Sequence, residues 1–150
     1  MPMGVRREGR MVALQVLYEW DSTEHPAEEV LARQADERRL SEQVTAFASE
    51  LVQGVLGHLS AIDQEIERAA SHEWSLQQMA KIDKNILRLA IFEILYNNTV
   101  PARSAINEAV VLAKTFGSEH SARFVNGVLG AILEQRSDDP GARKKKREPT

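Results

Sequence analysis

Three arginines close to the N-terminus are the first residues whose type and spacing suggest a chemistry. Arg6, Arg7 and Arg10 fall within the opening turns of a predicted helix over residues 6–20, and they project on one broad side of it. Cations at a helix N-terminus oppose the helix dipole, which costs roughly a few tenths of a kcal/mol each. We therefore interpret the cluster as a site for an external anion, with a solvated helix end as the alternative.

Glu93 is the second such residue, because it lies in a predicted helix over residues 82–95 whose apolar side chains point in nearly every direction. A helix that is apolar all round must be enclosed by other helices. A carboxylate in such a place must be paired or hydrogen-bonded, or it takes up a proton. We interpret Glu93 as a structural partner of an arginine or of a neighbouring helix end. An enzyme that uses Glu93 together with Asp83 or Glu108 is the alternative.

The other residue types that could do chemistry give no positive signal. The four histidines, His25, His58, His72 and His120, have no partner at the spacing of metal ligands. No glycine-rich phosphate loop follows a strand, and no serine or threonine occupies a nucleophile-elbow context. The sequence therefore predicts no catalytic residue, no metal site and no cofactor.

Length and composition narrow the class of protein. A chain of 150 residues can form one domain with a real core. The absence of cysteine excludes disulfides and thiolate metal sites and suits a reducing cytosol, so we expect a cytoplasmic protein. No apolar run approaches the length of a membrane span, and Gln15 interrupts the apolar run over residues 12–18, which favours a folded helix over a signal peptide.

The charge is distributed unevenly along the chain. The net charge is −3, but residues 1–18 carry +2, residues 143–150 carry +4 and the 124 residues between them carry −9. An acidic body with basic ends confines the binding of polyanions to chosen places. The overall negative charge argues against a protein that coats nucleic acid non-specifically.

The apolar residues keep a helical period along the chain and no strand alternation occurs, so the predicted class is all-α with about seven helices. We expect one compact domain over residues 1–135 and a disordered basic tail over residues 136–150. At the start of the helix that contains Glu93, we expect the charged side chains of Asp83, Lys84 and Arg88 to reach solvent.

Serines and glycines predict how several helices begin, end and pack. Ser41, Ser60 and Ser118 are expected to cap helix N-termini. Gly117 is expected as a left-handed C-terminal cap. Gly127 and Gly130 lie inside the last predicted helix, where each costs about 1 kcal/mol of helix propensity relative to alanine. That cost predicts that another backbone approaches closely there.

Several segments together resemble the NusB family of bacterial transcription antitermination factors. They are the opening Arg6-Arg7-x-x-Arg10-x-x-Ala13-x-Gln15-x-Leu17-Tyr18, residues 83–89 with Glu93, Val100-Pro101, Ala105-Ile106-Asn107-Glu108-Ala109-Val110, Leu112-Ala113-Lys114, Phe116-Gly117 and Phe124-Val125-Asn126-Gly127-Val128-Leu129. The resemblance covers roughly residues 6–133, and its segments at 106–109 and 124–129 are the most specific.

The resemblance implies a fold and a function that helical periodicity cannot show. It implies a single compact domain of two packed subbundles that binds boxA-type single-stranded RNA. The family binds this RNA as a heterodimer with NusE, which is also a ribosomal protein of the small subunit. The complex joins RNA polymerase with other Nus factors during rRNA transcription and suppresses premature termination.

The resemblance also assigns side chains to the RNA. The arginine cluster matches the RNA-contacting start of the family, although Glu8 and Gly9 interrupt a run that is denser in some members. Three aromatic residues match positions that line the RNA site, namely Tyr18, Phe116 and Phe124. Stacking of unpaired bases on such rings contributes roughly 1–3 kcal/mol per base. The alternative for the three rings is that they belong to the core.

Further sites follow from the same comparison. The backbone amides at the start of the last helix, over residues 118–121 with Ser118, His120 and Ser121, are expected to approach phosphate. His120 stands where some members carry an acidic residue near the RNA. Asp83 matches an acidic position associated with the NusE contact, and the alternative is a first-turn acid that favours the helix dipole.

Three questions stay open at the level of sequence. A helical adaptor that binds protein without RNA is the alternative function, suggested by the acidic body. A homodimer that hides the arginine cluster is compatible with the sequence, which shows no interface for it. The basic run at 143–147 lies outside the resemblance, and added RNA affinity or solubility explains it equally well.

Overall fold

The computed structural model describes residues 4–70, 75–97 and 100–137, and these contain seven α-helices and no strand. The helices are α1 Val5–Thr23, α2 Ala27–Glu37, α3 Glu42–Gly57, α4 Leu59–Ala69, α5 Lys81–Leu95, α6 Ala102–Phe116 and α7 Ser121–Ser137, with a short 3-10 turn at Leu76–Gln78. The predicted all-α class is confirmed. Helix α7 continues two residues past the predicted domain end at 135, and the rest of the predicted tail lies outside the described residues.

Helix α5 is the centre of the fold. It is buried continuously over residues 85–93, and it packs against α1, α3, α4, α6 and α7. Helices α1, α2 and α3 pack on one another, whereas α4, α6 and α7 surround the other side of α5. This arrangement gives the two packed subbundles that the resemblance implies, and it confirms that the helix with apolar side chains all round is enclosed.

A polar network ties the first half of α5 to two other helices. Arg88 was expected to reach solvent, but it is buried and donates to both carboxylate oxygens of Asp63 on α4 at 2.9 Å. Asp21 on α1 accepts a hydrogen bond from Asn85 at 3.1 Å and forms ion pairs with Lys84 at 3.1 Å and Arg88 at 3.4 Å. Burial opposes ionisation of Asp21, but the hydrogen bonds from Lys84 and Asn85 and the nearby cations outweigh it. Together they lower its pKa below the ordinary value of 3.8.

Of the four predicted caps, Ser41 is correct, Ser60 and Gly117 are wrong, and Ser118 lies three residues before the first residue of α7. Ser41 Oγ accepts a hydrogen bond from the Val44 amide at 3.1 Å, which is the predicted N-cap of α3. Ser60 is not a cap, because α4 begins one residue before it. Gly117 is not a left-handed cap either, since its φ of −92° is an extended conformation. A Cβ at Gly117 would instead lie 2.4 Å from Ser121 Oγ, so packing requires a glycine there.

The close helix approach that glycines predict occurs, but at other glycines. A Cβ at Gly127 or Gly130 would meet no atom within 4 Å, so the prediction for α7 is wrong. A Cβ at Gly54 on α3 would lie 2.0 Å from the ring of Phe92 on α5. Gly54 therefore lets α3 approach the central helix.

Within the part of the chain that the structure describes, no helix is both long and apolar enough to cross a membrane.

Replacing Gly54 by alanine should lower the free energy of unfolding by about 1–3 kcal/mol, because the new methyl group must displace the buried Phe92 ring. Gly127→Ala is the matched control, since its methyl group enters open space and removes a helix penalty of about 0.5–1 kcal/mol. Urea unfolding of both variants measures the difference. Equal effects in the two variants would contradict a close α3–α5 contact at Gly54.

The lowered pKa of Asp21 makes stability depend on pH. The unfolded chain protonates this carboxylate at a higher pH than the folded protein, so the contribution is full above about pH 4 and is lost as the pH falls below that. Asp21→Asn should cost about 1–2 kcal/mol at pH 7 and flatten the loss of stability that occurs below about pH 4. Urea unfolding of both proteins at several pH values tests this, and parallel curves would contradict it.

Candidate nucleic-acid interface

Of the three N-terminal arginines, one turns into the core. Arg10 is only 5% exposed, and its guanidinium lies against the carboxylate of Glu93, which is 2% exposed. The Arg10 Nε is 3.1 and 3.0 Å from the two oxygens of Glu93, and Nη2 is 2.9 Å from Oε1. The interpretation of Glu93 as the structural partner of an arginine is confirmed. The prediction that Arg10 contacts RNA is corrected, because its donors are committed inside the protein.

Arg7 stays at the surface and contacts α6. Its side chain is 53% exposed, and Nη2 donates to both oxygens of Glu108 at 3.3 and 3.2 Å. The same carboxylate lies 3.7 Å from Nη1 of Arg10. Glu108 is therefore shared between one exposed and one buried arginine.

Arg6 is exposed and lies over an aromatic ring. Its guanidinium carbon is 5.6 Å from the centroid of Phe47 on α3, and that of Arg10 is 5.7 Å from the same centroid. Gly9 makes this possible, because a Cβ there would lie 2.5 Å from the Phe47 ring. The glycine that interrupts the arginine run in the sequence thus has a packing reason.

Two of the predicted aromatic residues line an open cleft of about 590 Å³ between α1, α6 and the start of α5. Tyr18 is 44% exposed and Phe116 is half-buried, so neither ring is sealed in the core. The cleft is lined by Gln15, Tyr18, Glu19, Ser22, Thr23, Ala80, Lys81, Ile82 and Phe116. Both rings therefore have a face available to a planar ligand.

The cleft and the exposed side chain of Arg7 lie along one seam, which is the line of contact between α1 and α6. Arg7 and Tyr18 are three helical turns apart on the same face of α1. A smaller cavity of about 250 Å³ lies between them, lined by Arg7, Arg10, Met11, Glu108, Val111, Leu112 and Thr115. We call the cleft and this cavity together the α1–α6 groove.

The rim of the groove carries charged side chains of both signs, Glu19 and Lys81. A hydrogen bond from Arg33, followed by one from His25, lowers the pKa of Glu19, which is therefore a carboxylate at neutral pH. Lys81 is exposed on the opposite side of the cleft, with Nζ 3.3 Å from the Asp21 carbonyl oxygen. The rim thus offers both an anion and a cation to a ligand.

Sequence reasoning missed Gln15 and Lys81, which line the groove, and Arg38, which contacts Gln15. Arg38 comes from the end of α2 and donates to Gln15 Oε1 at 2.6 Å. The residues around Arg38 have the composition of a solvated turn, and only the tertiary fold brings them beside α1.

The third predicted ring lies in a second cleft of about 550 Å³. The lining residues are Gln78, Met79, Ala80, Asp83, His120, Arg123 and Phe124. The residues predicted for RNA, His120 and Phe124, therefore share a cleft with Asp83, which was predicted for a protein partner. Asp83 Oδ1 is buried there without a hydrogen-bond donor. Ala80 lines both clefts, so the two are neighbours.

The predicted phosphate site at the start of α7 is corrected. Ser118 N donates to Ser121 Oγ at 2.9 Å, His120 N donates to Ser118 Oγ at 3.3 Å, and Ser121 N donates to the Ser118 carbonyl oxygen at 3.1 Å. Ser121 is buried. These three amides already serve the turn itself, and they do not form an open cradle for an anion.

The carboxylates proposed for an enzyme do not form a common site. Glu93 is enclosed with Arg10, Glu108 faces Arg7, and Asp83 lines the second cleft. Among residues 4–70, 75–97 and 100–137, no group of three or more histidine, aspartate or glutamate side chains could hold a metal ion. The open polar pocket that the enzyme alternative requires around Glu93 is not found.

Comparisons with known proteins agree on one family. The NusB family model matches residues 7–134. A transcription antitermination protein NusB of Dehalococcoides mccartyi (strain CBDB1) is 45% identical over 139 residues, which cover 93% of this chain and 96% of the relative. Among solved structures, T. maritima NusB has a TM-score of 0.80 at 32% identity and covers 90% of this chain and 94% of its own. The antitermination factors NusB and NusE in complex with dsRNA give a TM-score of 0.80 at 27% identity, covering 89% and 99%.

Arg10→Ala should cost about 3–5 kcal/mol of unfolding free energy, because it leaves the Glu93 carboxylate buried and unpaired. Arg7→Ala removes only an exposed ion pair and should cost no more than about 1 kcal/mol. Urea unfolding of the two variants side by side separates a structural arginine from a surface one. Similar losses in both would overturn the assignment of Arg10 to the core.

Proposed function

Because the chain belongs to the NusB family of RNA-binding transcription antitermination proteins, we propose that it binds boxA-type single-stranded RNA together with NusE. In this proposal it acts in the cytoplasm with RNA polymerase and other Nus factors during rRNA transcription. The family is not enzymatic, and neither is this chain. The observation that carries the proposal is the α1–α6 groove, where an exposed arginine and two accessible rings share one seam.

The chemistry of the groove suits unpaired nucleotides. Tyr18 and Phe116 offer faces on which successive bases stack. Arg7 in the groove, Lys81 near the rings and Arg6, which lies over Phe47 beside the start of the groove on α1, offer cations to the phosphates. A base-paired duplex buries its base faces in its own stack, so the rings favour single strands.

The second cleft extends this surface toward a protein partner. Phe124, Arg123 and His120 supply a ring and two nitrogen-bearing side chains beside the first cleft. Asp83 supplies a carboxylate to the lining of this cleft, and a cationic or amide side chain of NusE would pair with it. The NusB–NusE complex with dsRNA among the structural neighbours supports an arrangement in which protein and RNA bind together.

RNA affinity should depend on cations and rings in different ways. Replacing Arg6 and Arg7 together by alanine should weaken binding of a fluorescent boxA RNA and lower the magnitude of the slope of log K against log salt by about 1.4, because two phosphate contacts to a single strand are lost. Tyr18→Ala should weaken binding by about 1–3 kcal/mol with an unchanged slope. Titration of the RNA at several salt concentrations, with and without NusE, measures both quantities.

Tyr96→Ala is the matched control for the ring, because Tyr96 is also an exposed aromatic side chain but stacks on His58 away from the groove. It should leave RNA binding unchanged. If the NusE complex forms but no variant alters RNA binding, the RNA-independent adaptor is the better description. Sedimentation of the free protein in the same buffers shows whether it is a monomer or a homodimer.

A further inference from the structure

We propose that Glu108 weakens the binding of anions in the groove by competing with phosphate for Arg7, so that a ligand must also supply stacking bases to bind tightly. This inference rests on the proposed function, because it concerns how the same surface distinguishes unpaired RNA from other polyanions. The carboxylate makes phosphate alone a poor ligand, and a ligand that also supplies stacking bases overcomes it.

The geometry places the carboxylate where a phosphate would approach. Glu108 Oε1 and Oε2 accept hydrogen bonds from Arg7 Nη2 at 3.3 and 3.2 Å. Both side chains line the 250 Å³ cavity of the α1–α6 groove, and the Glu108 side chain is 24% exposed. Any anion that takes the donors of Arg7 must therefore displace a carboxylate that a ligand can reach.

The hydrogen bonds of Arg10 explain why Glu108 can pair with Arg7. Arg10 already makes close hydrogen bonds to both oxygens of Glu93, and its distance to Glu108 is longer, at 3.7 Å. The four charges of Arg7, Arg10, Glu93 and Glu108 cancel. Without Glu108, the Arg10–Glu93 pair stays satisfied, and one positive charge is exposed at the surface.

The Arg7–Glu108 ion pair is weak relative to the stacking of a base on an aromatic ring. Exposed ion pairs of this kind change an equilibrium by roughly two- to fivefold. Such a penalty is small beside the stacking of one base, which is worth roughly fivefold to a hundredfold in affinity. The penalty is the same for every ligand whose phosphate takes the donors of Arg7, but a ligand that offers only charge has no stacking free energy to offset it.

Glu108→Gln tests the inference with two probes, fluorescent boxA RNA and inorganic polyphosphate. Removal of the competing charge should tighten the binding of polyphosphate by roughly three- to fivefold and that of boxA RNA by a similar factor, because a phosphate of either ligand takes the donors of Arg7. Glu67→Gln on α4 changes the net charge equally on a helix that packs against α5 and α7, and it is the matched control. The gain should vanish when Arg7→Ala is added, because Arg7 is the cation that is released.

Glu108→Asp is the second variant, in case the glutamine disturbs the neighbouring Arg10. It keeps the charge but shortens the side chain, and it should give part of the same gain. A gain equal to that of Glu67→Gln, or one that persists without Arg7, overturns the inference. Failure of the wild-type protein to bind boxA RNA would instead refute the proposed function, and the polyphosphate measurements would still decide the role of Glu108.

Discussion

The structure depends on one buried ion pair, between Arg10 of α1 and Glu93 of α5. Two charges enclosed in an apolar core are costly to desolvate, and the pair is tolerated because the guanidinium donates to both carboxylate oxygens. Any other placement of α1 on α5 would leave one of these charges without a partner. The pair therefore fixes where α1 lies, and with it the seam between α1 and α6.

A second polar contact fixes the direction and register of the same helix pair. Asp21, eleven residues after Arg10 on α1, meets Lys84, Asn85 and Arg88 in the first half of α5. The start of α1 thus lies beside the end of α5, and the end of α1 lies beside the start of α5. The two contacts are roughly 16 Å apart along α1. Apolar packing alone would tolerate a shift of one helix along the other, whereas two polar contacts at separate points do not.

Local and tertiary features of this chain differ in how far the sequence predicts them. The helices and the enclosure of α5 follow from apolar periodicity, and the need of Glu93 for a partner follows from its surroundings. The identity of that partner, 83 residues away, does not. The sequence nevertheless contained a signal that Arg10 is buried. Arg10 precedes Ala13, Leu14 and Leu17 by three, four and seven residues, so it lies on the same apolar face of the helix.

The glycines and the predicted phosphate site show the same division. A glycine inside a helix has the same propensity cost whether its neighbour is a ring, as at Gly54, or open space, as at Gly127. Likewise, amides at a helix start attract an anion only if nearby side chains leave them open, and Ser118 and Ser121 occupy them. The inward turn of Arg10 has a related consequence for the groove. It leaves few cations beside the rings on a negatively charged body, so attraction of phosphate alone gives modest affinity. In the proposed function, stacking on Tyr18 and Phe116 then supplies much of the binding, and the groove favours ligands with accessible bases.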